Sequence, residues 1–346
     1  MNYGNKWRIF TTNLSTKDLN KFNIEKFYNI IENNKFFVIT THINPDGDAI
    51  GSAMALFFFL KLFNKEVKVI NHSVTPKYYQ FLDPESEIET LNNSNSDIII
   101  NADVIFLVDL NEVSRVKSLK DIVLKSKAKK IIIDHHQPNS PFADFEFTDV
   151  EASSTGEIIY KLISHKYNSY INKDIATSLF AAIMTDTQSF HLPRTTSEVF
   201  RIAADLVDKG ANPPEIYKNI YETNDPNRFY LLSEVLSNMK IIKDGKIVYF
   251  IVKQEMFDKT NTLEPDVENF INYGLQIATA EIVIFFVELK DGVKISFRSR
   301  NNIPINELAK IYGGNGHINA AGARLYNISL NEILPDVLNN AVTFLN

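Results

Sequence analysis

The chain has no cysteine. That absence excludes disulfides, zinc–thiolate sites and a cysteine nucleophile, and it fits a reducing compartment without proving one. An excess of basic residues is also missing: 36 Lys and Arg face 42 Asp and Glu, for a formal net charge of −6. Long nucleic acid is bound largely by phosphate neutralisation and usually calls for a strongly basic face. The acidic total argues against a dedicated duplex binder and leaves open a short or single-nucleotide phosphate substrate held by a few local cations. Long hydrophobic runs are absent too. Met1 to Asn20 is polar, with no apolar signal core. The most apolar stretch, Ala49 to Leu60, contains Gly51 and Ser52 and is shorter than the about 20 residues a bilayer span needs. The expected setting is the cytoplasm, with no membrane partner. There is no repeat or low-complexity segment.

What is present is an ordinary globular composition, 45% hydrophobic and 23% charged over 346 residues. At roughly 100–200 residues per domain, two domains are expected. The apolar runs 36–41, 104–108 and 131–133 do not alternate, so they read as strands buried on both faces of a parallel sheet. Helical stretches, 48–63 and 117–127, lie between them, which predicts an α/β layered domain. Helices are predicted at 154–167, 173–184, 196–209, 215–221 and 227–239. The last third reads as strands 246–252, 281–289 and 293–298, with Asp291-Gly292 as a hairpin signal, and helices 306–311 and 330–344. This is a smaller α+β domain joined through a helical linker.

Each strong strand of the first half runs into acids or histidines: His42, Asp46 and Asp48 after the first, Asp109 after the second, and Asp134-His135-His136 after the third. In a parallel sheet these clusters meet at one edge, where open sheets of this kind bind ligands. Unpaired acids packed together repel and shift their pKa values upward, a conflict that divalent cations remove. Carboxylate plus imidazole without sulfur suits Mn²⁺, Mg²⁺ or Fe²⁺, with Zn²⁺ possible. Gly47 between two aspartates would allow a sharp turn that aims both carboxylates at neighbouring ions. Two ions about 3.5–4 Å apart can share a bridging water and generate hydroxide at neutral pH. A surface turn is the competing reading of Asp46-Gly47-Asp48, and a calcium loop fails because the twelfth position from Asp46 is Phe57 rather than Glu. Asp186 either closes the helix before it or projects into the cleft. Gly313-Gly314-Asn315-Gly316-His317 reads either as a phosphate-approaching loop at a helix N-terminus or as a flexible turn before a tightly packed helix. Arg298-Ser299-Arg300 is either a bidentate phosphate clamp or a solvated strand end. His72 and His165 have no acidic cluster around them and read as surface or core histidines.

Taken together, these residues resemble the DHH/DHHA1 phosphoesterase family. Asp134-His135-His136 matches its name-giving motif, and Thr41 to Ser52 its first motif. Asp109 with Arg115 looks like the second, and Thr185 to Phe190 like the fourth, where glycine often stands in place of Gln188. Gly313 to Gly322 resembles the DHHA1 signature, with Asn315 interrupting the commoner run of glycines. Size and layout look most like the NrnA-like (nanoRNase/pAp-phosphatase) subgroup. The resemblance implies a catalytic metal-binding domain over residues 22–211, a helical linker over 212–238 and a substrate-binding domain over 239–346, with the linker as hinge. It implies two divalent ions, Mn²⁺ first, with Mg²⁺, Co²⁺ or Fe²⁺ as alternatives. His42, Asp46 and Asp109 would hold one, and Asp48, Asp109, His135 and Asp186 the other. Asp134 would support from outside the metal shell, and His136 would face the scissile phosphate. Arg115, Arg298, Ser299, Arg300, Gly314, Gly316 and His317 would contact substrate. The implied reaction is hydrolysis of short oligoribonucleotides to mononucleotides and of 3′-phosphoadenosine 5′-phosphate (pAp) to AMP. A phosphodiesterase for pApA or cyclic di-AMP, and a catalytically dead nucleotide-binding sensor, are the alternatives; a homodimer is left open.

Overall fold

Apolar runs without alternation demand cover on both faces of a sheet, and the first half of the chain is built to supply it. The computed structural model describes residues 23–137 and 142–345, apart from the side chain of His317. Two compact units divide between Thr223 and Asn224, each with its own six-stranded sheet. The first unit runs α1 (Ile24–Asn33), β1 (Phe36–Thr41), α2 (Gly47–Leu62), β2 (Glu66–Asn71), β3 (Ile88–Thr90), α3 (Ser96–Asn101), β4 (Val104–Val108), a 3₁₀ turn (Val113–Leu119), α4 (Lys120–Lys125), β5 (Lys129–Asp134) and β6 (Phe145–Thr148). It continues with α5 (Thr155–Tyr167), α6 (Lys173–Asp186), α7 (Ser197–Asp208) and α8 (Pro213–Tyr221). The helix expected over 117–127 is thus a 3₁₀ turn and a short α-helix, broken at Lys117, whose φ is 49°.

Every pairing in this sheet is parallel, in the order β3-β2-β1-β4-β5-β6. β1 leads outward to β2, and β4 leads outward the other way to β5, so the order reverses between β1 and β4. Open α/β sheets have their ligand crevice at this switch point. Phe37, Ile39, Phe106, Val108 and Ile133 pack under α1, α2, α5 and α6. Val38, Ile105, Leu107 and Ile132 face the other layer, with Ile99, Val116 and Val123. Burying side chains of this size stabilises by roughly 1.5–3 kcal/mol each.

Helices α2 and α6 approach closely because their contact is made of small residues. A Cβ on Gly51 would lie 2.5 Å from the Ser178 carbonyl oxygen, and one on Gly47 would lie 2.5 Å from Thr185 Oγ1. The sequence reading of Gly47 as a turn residue is therefore corrected: it is the first residue of α2, and its lack of a side chain lets α6 come near. The end of α6 is unusual. Gln188, Ser189 and Phe190 all have positive φ, 48°, 58° and 66°, and Thr187 ties them back by accepting the Phe190 N–H at its Oγ1 (3.0 Å).

The second unit comprises α9 (Pro226–Ser237), β7 (Lys240–Ile242), β8 (Ile247–Val252), α10 (Gln254–Thr260), α11 (Asn272–Leu275), β9 (Ile282–Leu289), β10 (Gly292–Ser299), α12 (Ile305–Ile311), β11 (Asn315–His317), β12 (Ala320–Tyr326) and α13 (Leu330–Val342). Its strand order is β11-β12-β10-β9-β8-β7, antiparallel except for β8 with β9. Along β9, Ile282, Ile284 and Phe286 enter one core with Leu308 and Val337, while Val283, Phe285 and Val287 enter another with Leu231 and Phe257. The stretch 212–238, read from sequence as a linker, is divided: Ile216 and Ile220 of α8 belong to the first core, and Leu231 and Val235 of α9 to the second unit.

The glycine-rich segment is corrected more substantially. A strand hairpin, not a helix, comes directly after Gly313-Gly314. Residues 315–317 and 320–326 form a hairpin paired through Gly316↔Ala321. Gly314 caps α12 by donating its N–H to the Ala309 carbonyl (2.9 Å), and a Cβ on it would overlap the Gly322 carbonyl oxygen. The glycines serve close backbone contact between strands, so no helix dipole is available there for an anion.

Gly51→Val should force α2 and α6 apart and destabilise the protein by about 2 kcal/mol, read as a fall in Tm of roughly 4–8 °C. Gln188→Gly should act in the opposite sense, raising stability by about 0.5–1 kcal/mol, since glycine adopts positive φ without a Cβ penalty; denaturant unfolding measures it.

Candidate metal centre

The loop after β1 and the start of α2 present the first donors. Asp46 is the N-cap of α2: its Oδ1 accepts the Ala49 N–H (3.0 Å), while Oδ2 lies 3.8 Å from His42 Nε2. Half of the Asp46 side chain is exposed; His42 is buried. The His42 Nδ1–H donates to the Ile43 carbonyl (2.8 Å), which leaves Nε2 free to bind a metal. Asp109 follows β4 in a left-handed conformation, φ 60°, which aspartate tolerates better than most residues. That turn brings its Oδ2 to 3.3 Å from His42 Nε2 and its Oδ1 to 3.7 Å from His135 Nε2.

A second donor set lies on the other side of Asp109. His135 Nε2 is 3.8 Å from Asp48 Oδ2 and 3.5 Å from Asp186 Oδ2. Its Nδ1–H points to the Ala152 carbonyl at 3.4 Å, again turning Nε2 toward the acids. His42, Asp46 and Asp109 form one group, and Asp48, His135 and Asp186 another, each offering ligand atoms within 4.8 Å of one another. Asp109, His135 and His136 make a third such group. These acids and imidazoles can hold a metal ion.

The electrostatics fit that reading. Burial pushes Asp48 well above the usual carboxylate range, and the charges of Asp109 and Asp186 add to it. Burial likewise pushes Asp186 up to about 6, reinforced by Asp46 and Asp109 and opposed by His135. For His42, burial alone would favour the neutral ring, but its bonds to Asp109 and Asp46 outweigh that and push it up to about 10. Burial would raise Asp109, yet the His42 contact and the neighbouring histidines hold it far below its ordinary value. On their own, then, these acids cannot all ionise cheaply at neutral pH. A divalent cation relieves the repulsion.

Sequence reasoning missed the residues that hold Asp48. The N-terminus of α5 points at it: Thr155 N–H donates to Oδ2 (2.7 Å), Gly156 N–H to Oδ1 (3.0 Å), and Ser52 Oγ–H also to Oδ1 (3.0 Å). Thr155 Oγ1–H donates to Asp109 Oδ1 (3.0 Å). A helix N-terminus favours an anion. Ser154-Thr155-Gly156-Glu157 carries the capping signature that marks such a start, but nothing local in it says which carboxylate it faces.

Asp134 is fully buried, and its Oδ1 accepts the His136 Nδ1–H (2.7 Å). Burial would lower the His136 pKa; the Asp134 bond and the Asp109 charge more than offset this and raise it. Arg115, on the 3₁₀ turn, opposes the charging of both His42 and His136, and its carbonyl accepts the Ile43 N–H (2.8 Å).

In the second unit, Arg298 lies within β10 and is partly buried. Its Nη1–H donates to the Phe297 carbonyl (3.0 Å), while its Nε has no hydrogen-bond partner among the described residues. Arg300 donates to the Ala278 and Leu275 carbonyls, and Ser299 Oγ–H to the Ile303 carbonyl (2.7 Å). The side chain of His317 lies outside the described residues. Among the described residues, no helix is long and apolar enough to cross a membrane.

Known proteins resemble both units. Residues 36–183 match the DHH family, N-terminal domain, and residues 244–346 match the DHHA1 domain. The bifunctional oligoribonuclease and PAP phosphatase NrnA of Thermus thermophilus is 29% identical over 300 residues, 87% of each chain. NrnA of Bacillus subtilis is 27% identical over 291 residues, 84% of this chain and 89% of its own. The crystal structure of an exopolyphosphatase-related protein from Bacteroides fragilis matches with a TM-score of 0.88 at 33% identity, covering 92% of this chain and 95% of the other. With the strand-end acids and histidines in place and both domains matched, the chain belongs to the DHH family of phosphoesterase hydrolases and carries a DHHA1 domain as its second unit.

Proposed function

We propose that this enzyme hydrolyses short oligoribonucleotides to mononucleotides and pAp to AMP, with two divalent cations, Mn²⁺ before Mg²⁺, Co²⁺ or Fe²⁺. The observation that carries the proposal is Asp109, whose Oδ2 approaches His42 while its Oδ1 approaches His135. One carboxylate thereby joins two donor sets. The NrnA relatives, named as oligoribonucleases and PAP phosphatases, lend support because they align along most of the chain. On this reading His42, Asp46 and Asp109 hold one ion, and Asp48, Asp109, His135 and Asp186 the other. Bound there, the cations would supply a water of lowered pKa and take up charge on the phosphoryl oxygens.

The chain's own groups do the remaining work. Asp134 fixes the His136 ring through Nδ1, so its Nε2–H is the group turned to the scissile phosphate, where it donates to an oxygen that gains charge. Arg115 adds a fixed positive charge beside His42 and His136. In the second unit Arg298, Arg300 and His317 are the proposed contacts to the rest of the substrate. Arg298 Nε, without a partner among the described residues, is a donor suited to an anion. Ser299, Gly314 and Gly316 act by shaping the backbone around them.

A panel of pAp, pApA, cyclic di-AMP and short RNA oligomers, each with Mn²⁺, Mg²⁺ and Co²⁺, tests the assignment. Turnover of pAp and RNA that vanishes on chelation is expected; bound nucleotide with no turnover of any of them would instead identify a sensor. Asp109→Asn keeps the side-chain shape and should reduce hydrolysis to the metal-free background. Mn²⁺ at 100 times its Kd should stabilise the wild type by about 2.7 kcal/mol per site, a Tm rise that Asp109→Asn should lose. Asp134→Asn should leave that Tm rise intact while lowering kcat about 100-fold, because it disturbs His136 and not the ions.

A further inference from the structure

One histidine at the carboxyl edge of the first sheet has no part in the chemistry above. His72 follows β2 directly, on the strand adjacent to β1. Neighbouring strands lie roughly 5 Å apart, so the parallel register sets His72 beside the segment that carries His42. Two hydrogen bonds lock that neighbourhood. The Thr41 N–H donates to Asn71 Oδ1 (2.9 Å), and the Asn44 N–H donates to Ser73 Oγ (3.0 Å). The residues on either side of His72 are therefore tied to the residues on either side of His42.

The ring itself is oriented. Its Nδ1 lies 2.8 Å from Ser118 Oγ and 3.4 Å from the Ser118 backbone N–H. A backbone N–H can only donate, so Nδ1 is the acceptor and the ring hydrogen sits on Nε2. Ser118 follows the break at Lys117, three residues along the chain from Arg115, the residue whose charge reaches His42 and His136. His72 is partly exposed, and among the described residues no hydrogen bond or ion pair engages its Nε2. The result is an oriented N–H donor, placed by the strand register to one side of the segment that carries His42. It has no structural task for that hydrogen.

We infer that His72 is a specificity-determining residue, whose Nε2–H donates to the non-scissile terminal phosphate of the substrate, the 5′-phosphate of pAp or pApA. This rests on the phosphoesterase reading given above. An N–H aimed at a phosphate oxygen discriminates by what it would lose: a substrate without that phosphate leaves nothing for it to bind. Ser118 is a positioning residue, acting through the ring.

The test compares pApA with ApA, which share the scissile linkage and differ in the terminal phosphate. With Mn²⁺-loaded full-length protein, His72→Ala should lower the ratio of kcat/KM for pApA to that for ApA about tenfold, mostly through KM for pApA. His72→Gln, which keeps an N–H donor, should restore the ratio to within about threefold of wild type. Ser118→Ala should give an intermediate ratio. A merely structural role for His72 would lower Tm and depress both substrates alike, and that outcome, or an unchanged ratio in His72→Ala, overturns the inference. If the wild type hydrolyses neither dinucleotide, the function reading itself fails and the inference goes with it; if the wild type turns over both and only the ratio fails to move, His72 alone is at fault.

Discussion

Four carboxylates share one buried corner of this protein, and that crowding is the constraint around which the first unit is organised. Asp48 and Asp109 are nearly inaccessible to water, with Asp46 and Asp186 at the rim. Isolated charges so placed would neutralise by taking up protons. The fold instead surrounds them with donors: the start of α5 and Ser52 against Asp48, Thr155 against Asp109, and imidazoles between the acids. Even so the pull on Asp48 and Asp186 stays upward. The protein's groups alone leave the corner short of positive charge, which suits it to hold a cation.

The geometry that permits this crowding is set by backbone features beside the charges. The absence of side chains at Gly47 and Gly51 lets α2 lie against α6, and this brings Asp48 and Asp186 from the opposite ends of two helices to the same histidine. The reversal of strand order between β1 and β4 opens the crevice that Asp109 enters. Its left-handed backbone then directs one carboxylate at both donor sets. A side chain at Gly47 or Gly51 would push α2 and α6 apart and alter the distances between Asp48 and Asp186.

Much of this was legible in the sequence. The runs 36–41, 104–108 and 131–133 are strands because they are apolar on both faces, and the acids and histidines that follow them had to meet at one edge once the sheet was parallel. Short elements escaped detection: β2, β3 and β6 are brief or mixed in polarity, with Lys68 and Glu66 inside β2. Asp186 was ambiguous because a helix end and a cleft-facing acid look alike until the partner helix is known. The glycines of 313–316 were misread since close backbone contact between strands and an anion-binding loop make the same demand for a missing Cβ. The support for Asp48 could not be read at all, because it joins residues 48 and 155, and no local pattern encodes that pairing.

The switch-point crossing also has a consequence for how the protein is made. The donors are spread from His42 to Asp186, and they converge only after β1 has paired with β4 and α2 has docked on α6. Parallel pairings of this kind close long loops, and such contacts form slowly. A chain emerging from synthesis, or one arrested part-way to its native state, holds fragments of the donor sets and no complete one. A metal ion held there would therefore report the completion of folding in the first unit. Such a cation would act as a final latch, because whatever binds the native state alone draws the equilibrium toward it.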